Sequence, residues 1–157
     1  MPETTSKAEA RLRDLGIILP RPPTPVANYV AWKRAGDMLY LSGQGPRLSD
    51  GKLLTGLVGA EIDVKTAYDH ARLVGIGLLA AMKEAVGDLD KVEVIKMLGM
   101  VRATPDFGEQ PEVINGCSDL FVAVLGERGK HARSAVGMGS LPRGISVEIE
   151  AVCRVHE

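Results

Sequence analysis

Apolar residues recur every three or four positions in three segments of this chain, which is the spacing of a helix with one buried face. Ser6 is a suitable N-cap for the first segment, and glycines follow the first and the second. Gly75 and Gly77 lie inside the second and cost about 1 kcal/mol each relative to alanine, so another backbone is expected to pack closely there. The predicted helices are Ser6 to Leu15, Asp63 to Gly87 and Pro111 to Leu125.

Other segments alternate between apolar and polar residues or are rich in β-branched residues, as strands are. The clearest is Ile145 to Val155, where six apolar residues at every second position face one way. Gly36 and Asp37 predict the turn of an early hairpin. The remaining predicted strands are Val26 to Trp32, Met38 to Leu41, Leu53 to Val58, Lys91 to Ala103 and a strand beginning near Arg133.

The order of these elements predicts an α+β fold with two layers. After a leading helix come strands, a helix, a strand, a helix and two strands, and both later helices are amphipathic. The simplest packing places both helices on one face of a mixed sheet. The other face would then expose apolar residues, which predicts oligomerisation. Residues 1–18 are interpreted as an N-terminal helical extension and residues 19–157 as a single domain.

Composition and charge limit the classes of function. The 157 residues carry a net charge of −1 and no run of Lys and Arg, which argues against a nucleic-acid or membrane-surface binder. The polar start from Met1 to Lys7 lacks a secretory apolar core. Cys117 and Cys153 allow at most one disulfide and have no histidine spaced for zinc, which favours a reduced, cytoplasmic protein.

Arg133 and Glu148 are the main candidates for chemistry. A guanidinium held on a strand can bind a carboxylate through two parallel hydrogen bonds. A carboxylate on the outward row of a strand can activate water if its pKa suits. The ordinary interpretation of the same residues is a surface ion pair of Arg133 with Glu148 or Glu150, and a solvated position for Glu148.

Two segments resemble a known family, and this resemblance favours the chemical interpretation of Arg133 and Glu148 over the ordinary one. Leu39 to Pro46 and Arg133 to Ala151 resemble the Rid family of enamine/imine deaminases, also known as YjgF or endoribonuclease L-PSP. The resemblance extends from Leu19 to the end of the chain. It implies a chorismate-mutase-like homotrimer with clefts between neighbouring subunits, and it implies no metal or organic cofactor.

The resemblance also implies roles for individual residues. Arg133 would bind the substrate carboxylate, and Glu148 would position or activate the hydrolytic water. The residues expected to line or shape the pocket are Tyr29, Ser42, Asn115 and Ala135, the last of which stands where cysteine is frequent. By spacing alone, Tyr29, Ser42 and Asn115 would be ordinary packing or capping residues.

The expected activity is hydrolysis of small carboxylate-bearing 2-imino or 2-enamino acids to 2-oxo acids and ammonia. A protein of the same fold that binds a carboxylate without turnover is the alternative. Ribonuclease activity ranks third, because the chain is slightly acidic and lacks an evident histidine pair for phosphodiester cleavage. Nucleic acid and membrane are not expected partners.

Overall fold

The computed structural model describes residues 6–25 and 27–157, which form three α-helices and a five-stranded sheet. The elements in chain order are α1 (Lys7–Asp14), β1 (Trp32–Ala35), β2 (Met38–Gln44), α2 (Val64–Val86), β3 (Val92–Arg102), α3 (Gln110–Leu125), β4 (Ala132–Met138) and β5 (Val147–Val155). The α+β class and all three predicted helices are confirmed.

Side-chain caps explain where α1 and α2 begin. Ser6 Oγ accepts a hydrogen bond from the Glu9 amide, and a carboxylate oxygen of Asp63 accepts one from the Thr66 amide. Each bond satisfies an amide that has no partner within its helix. Gly87 ends α2 with a φ of 86°, a backbone conformation that glycine adopts without strain.

The strand order of the sheet is β1-β2-β5-β3-β4. All neighbours are antiparallel except β3 and β4, which are parallel. Gly36 and Asp37 form the turn of the predicted β1–β2 hairpin. The last strand, β5, lies between β2 and β3. The short connection from β4 to β5 therefore crosses β3, and β4 and β5 do not form a hairpin.

Two strand predictions are wrong. The first strand begins at Trp32, residues 27–31 are irregular, and Val26, the predicted start, lies outside the described residues. Residues 53–58 make only isolated bridges, such as Thr55 with Ile145. Gly56 has a φ of 140°, which interrupts the extended backbone that a ladder needs. Residues 1–5, most of the polar start, also lie outside the described residues.

Close helix packing explains the glycines in the second layer. A Cβ on Gly75 would lie 3.5 Å from Cys117 Cα and 2.9 Å from a methyl carbon of Leu120, so α3 approaches α2 there. Gly77 instead faces the end of the Gln44 side chain. The tightest backbone contact between the helices is at Gly116, whose added Cβ would overlap the Tyr68 carbonyl.

The two faces of the sheet differ in what covers them. One face carries buried residues such as Leu39, Met97 and Ile149 in the core shared with the helices. The opposite face has no covering element within the described part of the chain, although it is partly apolar. Its half-buried or exposed apolar residues include Tyr40, Leu98, Met100, Val136 and Val152.

Among the described residues, none of the helices combines the length and hydrophobicity needed to cross a bilayer.

Candidate functional site

A cleft of about 260 Å³ brings together three of the predicted site residues. It lies where β2, β5 and the segment before β1 meet. Tyr29, Ser42 and Glu148 line it together with Pro23, Thr24, Pro25, Ala31, Gly43, Gln44, Gly45, Arg47, Leu53, Pro142, Arg143 and Ile145.

A β-bulge in β2 shapes this cleft. Leu41 pairs with Ala151 but Gln44 pairs with Ile149, so β2 has one residue more than β5 over this stretch. Bulges re-aim side chains and are common beside active sites. Ser42 lies in the bulge, and its hydroxyl donates a hydrogen bond of 2.5 Å to the Val30 carbonyl. Ser42 therefore holds the segment that carries Tyr29 as well as lining the cleft.

Glu148 extends over Gly43 at the floor of the cleft. A Cβ on Gly43 would lie 2.9 Å from Glu148 Oε2, so the absence of a side chain there makes room for the carboxylate. Burial, and to a smaller degree the charge of Glu150, raises the pKa of Glu148 above its ordinary value. A carboxylate with a raised pKa is a stronger base, which suits proton abstraction from water.

Arg133 lies on β4, on the face of the sheet that the helices cover. It pairs in register with the core residue Met97. Its Nη1 donates to Ser118 Oγ at 2.9 Å and its Nη2 to the Pro111 carbonyl at 3.3 Å. No ion pair among the described residues includes Arg133, so the alternative of a surface pair with Glu148 or Glu150 is wrong for this chain.

Asn115 and Ala135 accompany Arg133 rather than the cleft. Asn115 occupies the stripe of α3 that also carries Pro111 and Ser118, because residues three and four apart share a helix face. Ala135 follows Arg133 by two residues on β4 and therefore points to the same side of the sheet.

The predicted residues thus form two groups on opposite faces of the sheet. Glu148 is next to Ile149, which faces the core, so Glu148 points to the uncovered face. Arg133 is on the covered face, and β3 runs between β4 and β5. Within one chain the two groups do not converge on one small molecule.

Sequence reasoning missed Ser118 and His131, which adjoin Arg133. Ser118 Oγ lies 2.9 Å from His131 Nε2, and His131 Nδ1 lies 2.6 Å from the Gly129 carbonyl. Burial is the main reason why the pKa of His131 is lowered. The available signal was the position of Ser118, three residues after Asn115 on a helix.

Other groups in the described part of the chain do not form a comparable site. The free thiols of Cys117 and Cys153 are buried, and burial raises the pKa of Cys153 to about 12. His70 Nδ1 and Ser146 Oγ are 2.6 Å apart but both residues are buried. A wider cleft of about 800 Å³ beside the start of α2 contains none of the predicted residues. Within residues 6–25 and 27–157, no cluster of three His, Cys, Asp or Glu side chains is placed to hold a metal ion.

Comparison with known proteins places these features in context. The family described as "YjgF/chorismate_mutase-like, putative endoribonuclease" matches residues 9–150. Protein TCP17 of Trypanosoma cruzi is 40% identical over 97% of this chain and 96% of its own length. The crystal structure of Atu1372, a protein with unknown function from Agrobacterium tumefaciens, is 49% identical, with a TM-score of 0.87 over 95% of this chain and 94% of that one. The 2-iminobutanoate/2-iminopropanoate deaminase of Dermatophagoides farinae is 27% identical over 87% of this chain and 92% of its own length.

Proposed function

Because this chain belongs to the YjgF/chorismate-mutase-like family, we propose that it hydrolyses 2-imino or 2-enamino acids to 2-oxo acids and ammonia. The observation that carries the proposal is the Glu148 carboxylate, which sits in a small cleft with a raised pKa beside Tyr29. Arg133, which forms no ion pair with the described residues, supplies the carboxylate recognition that such substrates require. A relative named as an imine deaminase supports the same reaction.

The reaction needs a group that binds the substrate carboxylate and a base that contacts the attacking water. Arg133 binds the substrate carboxylate and so places the adjacent C=N carbon toward the water. Glu148 takes a proton from that water as its oxygen bonds to the carbon. That proton passes to nitrogen and gives a tetrahedral intermediate with a hydroxyl and an amino group. The hydroxyl proton then moves to nitrogen as the C–N bond breaks, so the C=O bond of the 2-oxo acid forms and ammonia leaves. An enamine first gains a proton at its β-carbon and loses one from nitrogen, which gives the imine.

The proposal includes an assembly in which the site lies between two copies of the chain, as in the expected homotrimer. Arg133 and Glu148 point to opposite faces of the sheet, so a neighbouring copy must bring its Arg133 group to the cleft of the first. The partly apolar uncovered face supports association, because burying it removes apolar area from water.

Carboxylate binding without turnover is the second candidate. Ser118 and Pro111 of the same chain already hold Arg133, so this half of the site does not depend on Glu148. Saturable binding of 2-oxobutyrate with no acceleration of imine hydrolysis would select this candidate.

The test is hydrolysis of 2-iminopropionate and 2-iminobutyrate, generated by an amino acid oxidase and trapped competitively by semicarbazide. The wild type is expected to suppress semicarbazone formation and release ammonia. Glu148→Gln is expected to lower kcat by about 100-fold or more, and Arg133→Ala to raise KM strongly. Arg13→Ala, which removes an exposed charge on α1, is the matched control and should behave as wild type. No acceleration by the wild type would refute the deaminase assignment for these substrates.

A further inference from the structure

We propose that Ser118 and His131 are positioning residues that orient Arg133 for carboxylate binding while leaving its full positive charge available. The proposal rests on the carboxylate-binding role of Arg133 in the proposed function. It adds two residues that neither the sequence motifs nor the comparisons single out.

The donor and the acceptor of each hydrogen bond in this group can be assigned in one consistent way. The Gly129 carbonyl can only accept, so His131 Nδ1 carries the proton in their 2.6 Å contact. Nε2 of the neutral ring is then an acceptor, and the Ser118 hydroxyl donates to it at 2.9 Å. The remaining lone pairs of Ser118 Oγ accept from Arg133 Nη1 at 2.9 Å. The hydrogen bonds therefore form a series that runs from Arg133 through Ser118 and His131 to the Gly129 carbonyl.

The histidine ring is held on two sides. Its centroid lies 5.9 Å from that of Phe121, with the ring planes at 80°, an edge-to-face contact. Gly129 packs so closely on α3 that an added Cβ would overlap the Phe121 carbonyl. The acceptor that selects the histidine tautomer thus belongs to a tight backbone contact between α3 and the turn before β4.

A neutral network orients the arginine without cancelling its charge. A carboxylate partner would also hold the guanidinium, but it would compete with a substrate carboxylate. Ser118 and the Pro111 carbonyl use two of the roughly five N–H groups of the guanidinium, which leaves enough donors for a bidentate carboxylate. Burial lowers the pKa of His131, which favours the neutral ring that this arrangement uses.

The decisive measurement is the binding of 2-oxobutyrate, a carboxylate product, compared with its neutral amide. Ser118→Ala is expected to weaken 2-oxobutyrate binding about tenfold and to raise KM for 2-iminobutyrate with kcat nearly unchanged. Binding of the neutral amide should not change. Ser118→Thr keeps a hydroxyl and His131→Gln keeps an acceptor near the Nε2 position, so both should retain most of the affinity. Ser49→Ala, which changes an exposed serine outside both residue groups, is the matched control.

Two results separate positioning from general stabilisation. In the Arg133→Ala background, Ser118→Ala should cause no further loss of 2-oxobutyrate affinity, because its effect acts through the arginine. Nitrogen NMR of the histidine rings should show His131 with its proton on Nδ1. Equal losses in both backgrounds, or a proton on Nε2, would overturn the proposal.

The proposed function and this inference fail in different ways. If the wild type hydrolyses imines and Arg133→Ala raises KM, but Ser118→Ala changes neither KM nor 2-oxobutyrate affinity, only the positioning roles are wrong. If the wild type neither hydrolyses imines nor binds 2-oxobutyrate, the proposed function is wrong and the positioning roles are rejected with it.

Discussion

Gly43 shows how a single residue without a side chain sets the position of the proposed base. Gly43→Ala would place a methyl group 2.9 Å from Glu148 Oε2. The atom it meets is the end of a flexible side chain, so the free energy of unfolding should change by less than about 1 kcal/mol. We expect kcat for imine hydrolysis to fall about 10- to 100-fold because the carboxylate is displaced.

The control for Gly43→Ala is Gly108→Ala, because nothing lies within 4 Å of the added Cβ at that position. Urea unfolding and steady-state kinetics of both variants distinguish the outcomes. An unchanged kcat in Gly43→Ala would show that the observed position of Glu148 is not the one used in catalysis.

Glu150 should determine part of the pH dependence. Burial is the first cause of the raised pKa of Glu148 and repulsion by Glu150 the second. Glu148 must be ionised to act as base, so activity should fall as the pH drops through this raised pKa. Removing the charge in Glu150→Gln lowers the pKa of Glu148, and the acid limb of kcat/KM should move to lower pH. Glu157→Gln, at the exposed C-terminus, should leave the acid limb unmoved.

For single residues, the sequence predicted which residue types could take part in chemistry but not which of them contact one another. Arg133 stands out because it is charged in a strand of mostly small or apolar residues, and Glu148 because it lies on the outward row of β5. The family resemblance implies their roles. The bond between Ser118 and His131 has no such pattern, because it joins α3 to the residue just before β4, across the turn at Gly126–Gly129.

The contact of α2 with α3 is the element-level feature that the sequence indicated in part. The glycines inside α2 predicted a close neighbour, and α3 fulfils that prediction at Gly75. The tighter approach, at Gly116 of α3, was not predicted, because a single glycine in a helix does not reveal which backbone lies against it.

Gly116→Ala tests that packing. Alanine is the better helix former by about 1 kcal/mol, so an exposed position would gain stability. Here the added Cβ overlaps the Tyr68 carbonyl, and the helices must separate. We expect a net loss of about 2–3 kcal/mol in the free energy of unfolding, measured by urea denaturation. The comparison variant is Gly77→Ala, which meets only the flexible end of Gln44 and should lose far less. Equal stability of the two variants would contradict the close approach.

At the scale of the whole molecule, the main feature is that the residues around Arg133 and those around Glu148 lie on different faces of the sheet. Arg133 faces the helices and Glu148 faces the uncovered side of the sheet. The proposed shared site would require two copies in a head-to-tail arrangement, which forms a ring when the rotation between copies closes.

A subunit-mixing experiment tests the shared site. At a substrate concentration well below the raised KM of Arg133→Ala, the pure Arg133→Ala and Glu148→Gln proteins should each show little activity. When equal amounts are unfolded and refolded together, each site draws its arginine and its glutamate from different chains, so about a quarter of the sites regain both. We expect about that fraction of wild-type activity, with assembly size followed by native mass spectrometry. A mixture as inactive as its components would place both residues of each site on one chain.

The sequence by itself determined the helices, the alternation of β5 and the residue types available for chemistry. These features depend on local spacing and caps, which act between residues a few positions apart. Only the tertiary structure decided the place of β5 between β2 and β3, the distribution of the candidate residues over two faces, and the approach of Glu148 to Gly43. The physical reason is that pairing between distant segments depends on the packing of the whole core. A periodic pattern indicates which face of an element is buried, but it does not indicate which other element covers that face.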